Sequence, residues 1–241
     1  MGRKSVRYSG KVATAKDFTQ YILKFKDSDV WPTAEIEYVY YQMAVECGID
    51  MEKSSLLTIA GTKHFLTERF DRKHGSKQHS ATLRSLCGEV TSYDELFGIC
   101  RSLGLPYRDL EQVFRRAVFN YLAGVSDDHD KNFSFLMSEK GVWRLSPAYD
   151  ETFTVNYKNK FIGDRHAMTI AGNDRLVSRD QLLKFASEND IRNADDIIDE
   201  VISKLMTFEQ KAADAGIDVA FIEIIYEYIS SQINKVSRKN R

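Results

Sequence analysis

The chain has 241 residues, 43% hydrophobic and 12% aromatic, with 34 Lys and Arg against 35 Asp and Glu for a formal net charge of −1. That composition excludes a disordered chain, a collagen-like chain and a coiled-coil rod, and it leaves apolar material for one sizeable core or two small ones. The balanced charge removes the electrostatic case for a dedicated nucleic-acid binder.

In chain order, Phe18 to Phe25, Leu56 to Ile59 and His64 to Phe70 read as short strands, bounded by polar residues. Between the first two, apolar Ile36, Val39, Tyr40 and Met43 recur at three and four, which predicts a helix from Thr33 to Cys47 that Gly48 ends. Lys73 to Glu89 is polar and broken by Gly75 and Gly88, and is predicted to be a loop. Helices dominate afterwards. Thr91 with Asp94 reads as a capping pair, Tyr107 to Leu122 as a strongly apolar helix, and Ser178 with Gln181 as a capping box. Asn193 is predicted to cap a helix through Ile197, Ile198, Val201 and Leu205, and a last helix to run from Val219 to Ile233 into a solvated basic tail, Lys235 to Arg241. The layout is α+β and two-lobed: a small mixed part over residues 1–74, and a larger helical part over 75–241.

Cys47, Cys87 and Cys100 are isolated, so neither a disulfide framework nor a structural zinc is expected. No stretch approaches the apolar length of a membrane span, and Gly2 to Ser5 lacks the apolar region of a signal peptide; a cytoplasmic setting, with no membrane partner, is the expectation.

Chemistry concentrates in Val118 to Met137, VFNYLAGVSDDHDKNFSFLM, where an apolar helix end meets Asp127, Asp128, His129, Asp130, Lys131 and Asn132 before a strand-like Phe133 to Leu136. So many charges between buried elements need partners, and a metal–phosphate substrate is one way to supply them. Asp127 and Asn132 are five apart, the spacing at which a kinase-type loop places a base for the acceptor hydroxyl and a magnesium-binding amide. Asp150, in LSPAYDETF, stands where a second magnesium-binding carboxylate is expected.

Three blocks in order, TERFDR (Thr67 to Arg72), FNYLAGVSDDHDKNFSFL (Phe119 to Leu136) and LSPAYD (Leu145 to Asp150), resemble the HipA-like serine/threonine kinases of bacterial toxin–antitoxin systems, and MTIAGNDR (Met168 to Arg175) resembles a further stretch of that family. The resemblance implies a protein-kinase-like fold of the HipA type. It implies ATP and Mg2+ as cofactors, a protein substrate with a Ser or Thr acceptor or the chain itself, and an antitoxin partner. Asp127 then looks like the catalytic Asp, Asn132 and Asp150 like the magnesium ligands, and His129 and Lys131 like supporting, ATP-contacting residues. Glu68 and Phe70 look like the hinge that holds adenine, with Asp71 near the ribose. Lys24 is similar to the phosphate-binding lysine, with Lys26 as competitor, and Glu37 to the acidic residue that orients it.

Two departures bear on activity. Only about 20 residues precede Lys24, with Ser9, Gly10 and Lys11 as a compressed echo of the family's phosphate-covering loop, and no GxGxxG motif occurs. The expected outcomes are a kinase that uses this short segment, one completed by a separate chain supplying N-terminal elements, or a nucleotide-binding pseudokinase or partner-binding module. A different chemistry, with His129 and Asp130 as adjacent ligands of a metal-dependent phosphohydrolase, needs a further His and Asp from elsewhere. His64, His74, His79 and His166 have no ligand spacing and are expected to be structural or exposed.

Overall fold

The computed structural model describes residues 19–26, 31–73, 76–156, 163–175 and 177–237. Ser9, Gly10, Lys11, His74 and the basic residues beyond Ser237 lie outside the described residues.

The first part is a three-stranded antiparallel sheet with one helix against it. Strand β1 (Tyr21–Lys24) is followed by helix α1 (Thr33–Glu46), then β2 (Ser54–Ile59) and β3 (Thr62–Glu68), in the sheet order β1-β3-β2. Ile59 pairs with Thr62, so the β2–β3 hairpin turns on two residues only, Ala60 and Gly61, both at positive φ (+47° and +83°). That backbone matches the right-handed strand twist and is the turn a two-residue hairpin selects. Helix α1 buries Ile36, Val39, Tyr40, Met43 and Ala44 on one face, the face its periodicity predicts, and ends where Gly48 turns at φ +74°.

The stretch expected to be a loop contains regular elements. It holds β4 (Arg72–Lys73) paired with β5 (Ser76–Lys77), then β6 (His79–Thr82) and helix α2 (Leu83–Cys87). The partner of β6 explains the discrepancy: its polar residues pair with β7 (Ser134–Met137), more than fifty positions later, and no local pattern announces so distant a ladder. A third strand, β8 (Trp143–Leu145), completes the order β6-β7-β8.

Helices α3 (Tyr93–Ser102) and α4 (Tyr107–Ala123) precede β7, and α5 (Arg179–Glu188), α6 (Ala194–Leu205), α7 (Phe208–Asp214) and α8 (Val219–Ser237) follow. The α3 cap lies one residue later than the capping pair predicts: Ser92 accepts from the Glu95 N–H, while the Thr91 N–H donates to the Glu95 carboxylate. At α5 the Ser178–Gln181 capping box is present as predicted. Asn193 does precede α6, but in the left-handed region and without a side-chain cap bond. Helix α7 was not foreseen; its seven residues are too few to display a period.

One contiguous apolar cluster runs from α1 through α3, α4 and the C-terminal helices. Helix α4 is its axis, with Val113, Phe114, Ala117, Val118, Phe119, Tyr121 and Leu122 fully buried. Each large side chain buried in this way contributes about 1.5–3 kcal/mol. Because α1 shares this core, the helix of the small part is anchored to the helical part. Among the described residues no helix is long and apolar enough to cross a membrane.

Candidate active site

The site forms where β1, α1 and the 148–151 segment converge on a cavity of about 240 Å³, lined among others by Ile22, Lys24, Phe65, Phe70, Tyr149 and Asp150. Strand β1 runs antiparallel to β3 with Lys24 opposite Phe65, which places the ammonium 5.9 Å from that ring's centre. There Lys24 Nζ donates to Glu37 Oε1 at 2.6 Å and also to Asp150 Oδ1. Burial alone pulls the Lys24 ammonium down, but Glu37 and Asp150 outweigh it, and its pKa is raised above the ordinary lysine value. Lys26 takes no part in that pairing; its backbone N–H donates to His64 Nδ1, so His64 is a buried structural residue.

Asp150 sits at φ +58°, a left-handed backbone that a non-glycine residue adopts only under local constraint. The constraint is visible on its N-terminal side. The Ala148 N–H donates to the Asp50 carbonyl at 2.8 Å. The Tyr149 ring stacks on Phe70 at 5.5 Å, and its hydroxyl lies 2.8 Å from the Lys131 carbonyl and within hydrogen-bond distance of Ser134 Oγ. Tyr149 thus ties the hinge-like Phe70 and the metal-type Asp150 to the 127–132 loop.

That loop begins where Gly124 ends α4 in the left-handed conformation. The Asp127 N–H donates to Thr154 Oγ1 at 3.0 Å, its carbonyl accepts from Asn132 Nδ2 at 2.9 Å, and its side chain is 66% exposed. The five-residue spacing from Asp127 to Asn132 is therefore closed by a hydrogen bond. With its nitrogen so committed, the Asn132 amide keeps its oxygen as a free acceptor. His129 Nε2 lies 3.9 Å from Asp127 Oδ1, and Lys131 is exposed.

The three carboxylates of the loop, indistinguishable by composition, separate completely. Only Asp127 faces solvent. Asp130 is buried, accepting from the Val90 N–H at 3.0 Å and pairing with Arg84 at 2.9 Å. It is unavailable as the partner of His129 in a hydrolase-type ligand pair, and among the described residues no group of three His, Cys, Asp or Glu side chains forms a metal cluster. Asp128 is buried and fully hydrogen-bonded within the helical part.

At the hinge-like segment, Glu68 and Phe70 line the cavity, but the Glu68 N–H is already given to the Lys53 carbonyl and the Arg69 N–H to that of Gln20, both within 3.0 Å. Asp71 is not among the residues lining the cavity. Its carboxylate is clamped by Arg69 at 2.8 and 2.7 Å and by Arg72 at 2.6 Å; these contacts outweigh its partial burial and hold it below the usual carboxylate range.

Sequence reasoning gave no role to Tyr149, Glu151 or Thr154, although Tyr149 stands within the LSPAYD block. Glu151 lines the cavity beside Asp150 and is buried; that burial, opposed by Arg116 and reinforced by Asp128 and Asp150, pushes its carboxyl group up to about 8.

The oxygen donors at hand, the Asp150 carboxylate and the Asn132 amide, fit magnesium. That ion keeps several waters and is held by one or two protein oxygens together with substrate phosphates rather than by an all-protein cage. Lys24 would supply a fixed positive charge of the kind a triphosphate needs beside them.

Residues 4–211 match the family model of the HipA-like C-terminal domain. A presumed kinase of Haemophilus influenzae is 28% identical over 150 residues, 54% of this chain and 44% of that protein. The serine/threonine-protein kinase toxin HipA of Shewanella oneidensis is 28% identical over 85 residues, 35% of this chain and 18% of that one. The solved Shewanella oneidensis toxin–antitoxin complex of HipA, HipB and operator DNA contains a chain that superposes with a TM-score of 0.72 at 18% identity, over 98% of this chain and 66% of its own. The Helicobacter pylori proinflammatory kinase CtkA superposes with a TM-score of 0.59 at 12% identity, over 90% of this chain and 88% of its own. The chain thus spans less than half the length of these two curated relatives, and its fold is two-lobed and kinase-like.

Proposed function

The chain belongs to the HipA-like C-terminal domain family, and on that premise we propose that it transfers the γ-phosphoryl group of ATP to a Ser or Thr hydroxyl, on a protein substrate or on itself. The observation that carries this reading is the bridging of Lys24 between Glu37 and Asp150 at the cavity, with Tyr149 linking that cavity to the Asp127–Asn132 loop. A core module has no structural need for a lysine shared by two carboxylates at a cavity wall, whereas phosphoryl transfer needs charge neutralisation and alignment there.

In this mechanism adenine enters beside Phe70 and Tyr149, and Lys24 exchanges Asp150 for phosphate oxygens while Glu37 keeps it oriented. Asp150 and Asn132 would hold magnesium, which supplies charge neutralisation to the β- and γ-phosphates when bound. Asp127, exposed and fixed at both its N–H and its carbonyl, accepts the acceptor hydroxyl's proton as the new oxygen–phosphorus bond forms and the bond to ADP breaks. Toxicity, and an antitoxin as the partner that restrains it, follow from the family and belong to the same proposal.

The test is γ-labelled ATP with magnesium, the native chain being compared with Asp127→Asn and Asp150→Ala. Label transfer by the native chain alone, to itself or to a lysate protein, is the expected result. A native chain that neither transfers label nor binds ATP overturns the reading; one that binds ATP at every magnesium concentration without transfer is the pseudokinase.

A further inference from the structure

Asp128 follows Asp127 in the chain but faces the interior, where its acceptor capacity is completely used. Its Oδ1 accepts from the Ala167 N–H at 2.9 Å and the Met168 N–H at 3.3 Å; its Oδ2 accepts from the Tyr93 hydroxyl at 2.8 Å and lies 3.0 Å from His166 Nδ1. Burying a carboxylate is costly unless donors such as these surround it. His166 is as deeply buried, stacked on Tyr121 with ring centres 3.8 Å apart and planes 9° from parallel, and the Tyr121 hydroxyl in turn accepts from the Ile170 N–H at 3.1 Å.

The pattern of bonds around Asp127 gives this network a direction. The Ala167 N–H is shared between Asp128 Oδ1 and the Ser126 carbonyl, the latter at 3.0 Å, so both chain neighbours of Asp127 are bonded to one short stretch, residues 166–168. Asp127 itself is held by Thr154 on its N–H side. The chain that leaves Asp150 therefore returns to the loop twice, first at Thr154 and then at 166–168. With consecutive Cα atoms a fixed 3.8 Å apart, a shift of residues 166–168 that carries Ser126 and Asp128 with it also moves the backbone from which the Asp127 carboxylate projects.

We propose that Asp128, held by His166 and Tyr93, is a positioning residue that sets the placement of Asp127 and couples it to the segment 163–175. The proposal deepens the kinase reading and rests on it for the role of Asp127. It gives His166, which has no ligand spacing, a function through Asp128 rather than through a metal or substrate.

The test uses the full chain and His166→Leu, with His166→Asn as the conservative variant that keeps an N–H donor near the Nδ1 position, and Tyr93→Phe as the removal of a single donor. The first readout is amide hydrogen exchange. In His166→Leu, peptides covering 166–168 and 125–132 are expected to lose protection together, while the peptide Ile222–Ile233 of α8 keeps its own, and His166→Asn restores both. Loosening of 166–168 with unchanged protection at 125–132 overturns the coupling, and so does an equal loss in α8. The second readout is label transfer: kcat falls by about tenfold to a hundredfold with KM for ATP unchanged, as expected when a reacting group is displaced without loss of binding. An unchanged kcat, or a parallel loss of ATP binding that His166→Asn does not rescue, shows a merely structural residue. If the native chain transfers no label, the kinase reading falls on its own, and the exchange comparison still decides the coupling.

Discussion

Replacing Gly124 by Ala tests how tightly the entry to the 127–132 loop is built. Gly124 ends α4 at φ +76°, and its carbonyl accepts from the Thr154 N–H at 3.0 Å, next to the hydroxyl that holds Asp127. A Cβ there would come within 2.8 Å of Tyr228 Cε1, 2.9 Å of Val155 Cγ2 and 3.0 Å of Phe153 Cε2, three groups from the packed interior. Gly104, just beyond the end of α3 at φ +69°, is the control, because nothing lies within 4 Å of a Cβ built on it. Both substitutions meet the left-handed penalty of about 1–2 kcal/mol, partly offset by an unfolded chain made stiffer by about 0.4–1 kcal/mol. Only Gly124→Ala adds overpacking, at about 1–3 kcal/mol. The expected losses are therefore about 1 kcal/mol for Gly104→Ala and about 2–4 kcal/mol for Gly124→Ala. In a chain of this size each kcal/mol lowers Tm by about 3 °C, so the two variants should fall by roughly 3 °C and 6–12 °C. Differential scanning calorimetry of the pair reads the difference directly. Equal shifts would refute the close packing of Phe153, Val155 and Tyr228 behind the loop.

Three further outcomes follow from particular contacts. Lys24→Met should weaken ATP binding by about tenfold to a hundredfold, the worth of one charge-assisted contact to phosphate, while Lys26→Met leaves it unchanged; titration calorimetry distinguishes them, and equal effects would remove Lys24 from the site. Glu151 has a folded-state pKa near 8, above the unfolded carboxyl value of 4.5, because burial favours its protonated form. The folded state then binds the extra proton, so stability is greatest below the unfolded value and declines as pH rises towards about 8, by up to about 1.4 kcal/mol per pH unit. Glu151→Gln should flatten that slope between pH 5 and 8, and an unaltered slope by denaturant titration would assign it to another group. Asp109 is buried and accepts from Arg144 at 2.8 and 2.9 Å and from the Leu145 N–H at 2.9 Å, joining α4 to β8. Asp109→Ala should cost about 2–4 kcal/mol by urea unfolding, and a loss under 0.5 kcal/mol, typical of an exposed surface substitution, would contradict that role.

What could be read from the residues alone was whatever depends on local spacing. The α1 periodicity, the capping box of α5 and the five-residue interval from Asp127 to Asn132 each describe one element, and each reappears in the fold. What could not be read depends on contacts between distant residues. The ladder from β6 to β7 joins residues more than fifty apart, and nothing in His79 to Thr82 distinguishes it from a polar loop. The same limit separates Asp127 from Asp128 and Asp130: the partners that bury the latter two are Arg84, Val90, Tyr93, His166, Ala167 and Met168, each more than 30 residues from the loop. His64 and His166, alike by sequence in lacking ligand spacing, differ in role because one meets the Lys26 backbone N–H just beyond β1 and the other a buried carboxylate.

The most consequential of these distant contacts fix α1 to α4. The Tyr40 hydroxyl donates to the Ala123 carbonyl at 2.6 Å, the Gln112 amide donates to the Gly48 carbonyl at 2.7 Å and accepts from the Asp50 N–H at 2.8 Å, and Arg115 donates to the Cys47 carbonyl at 2.8 Å. A further ion pair, Lys211 to Glu46 at 2.6 Å, binds the end of α1 to α7. Glu37 thus rides on a helix bonded at its middle and its C-terminal end to the helix that leads into the 127–132 loop, and the Ala148 N–H to the Asp50 carbonyl extends the same anchorage to the residues before Asp150. Lys24, on β1, an edge strand among the described residues, is held by its two carboxylate partners. A helix so tied cannot swing Glu37 away from Lys24 without breaking buried hydrogen bonds at Tyr40 and Gln112, each of which leaves an unsatisfied polar group. Separating Lys24 from Glu37 therefore requires a movement of β1 rather than of α1.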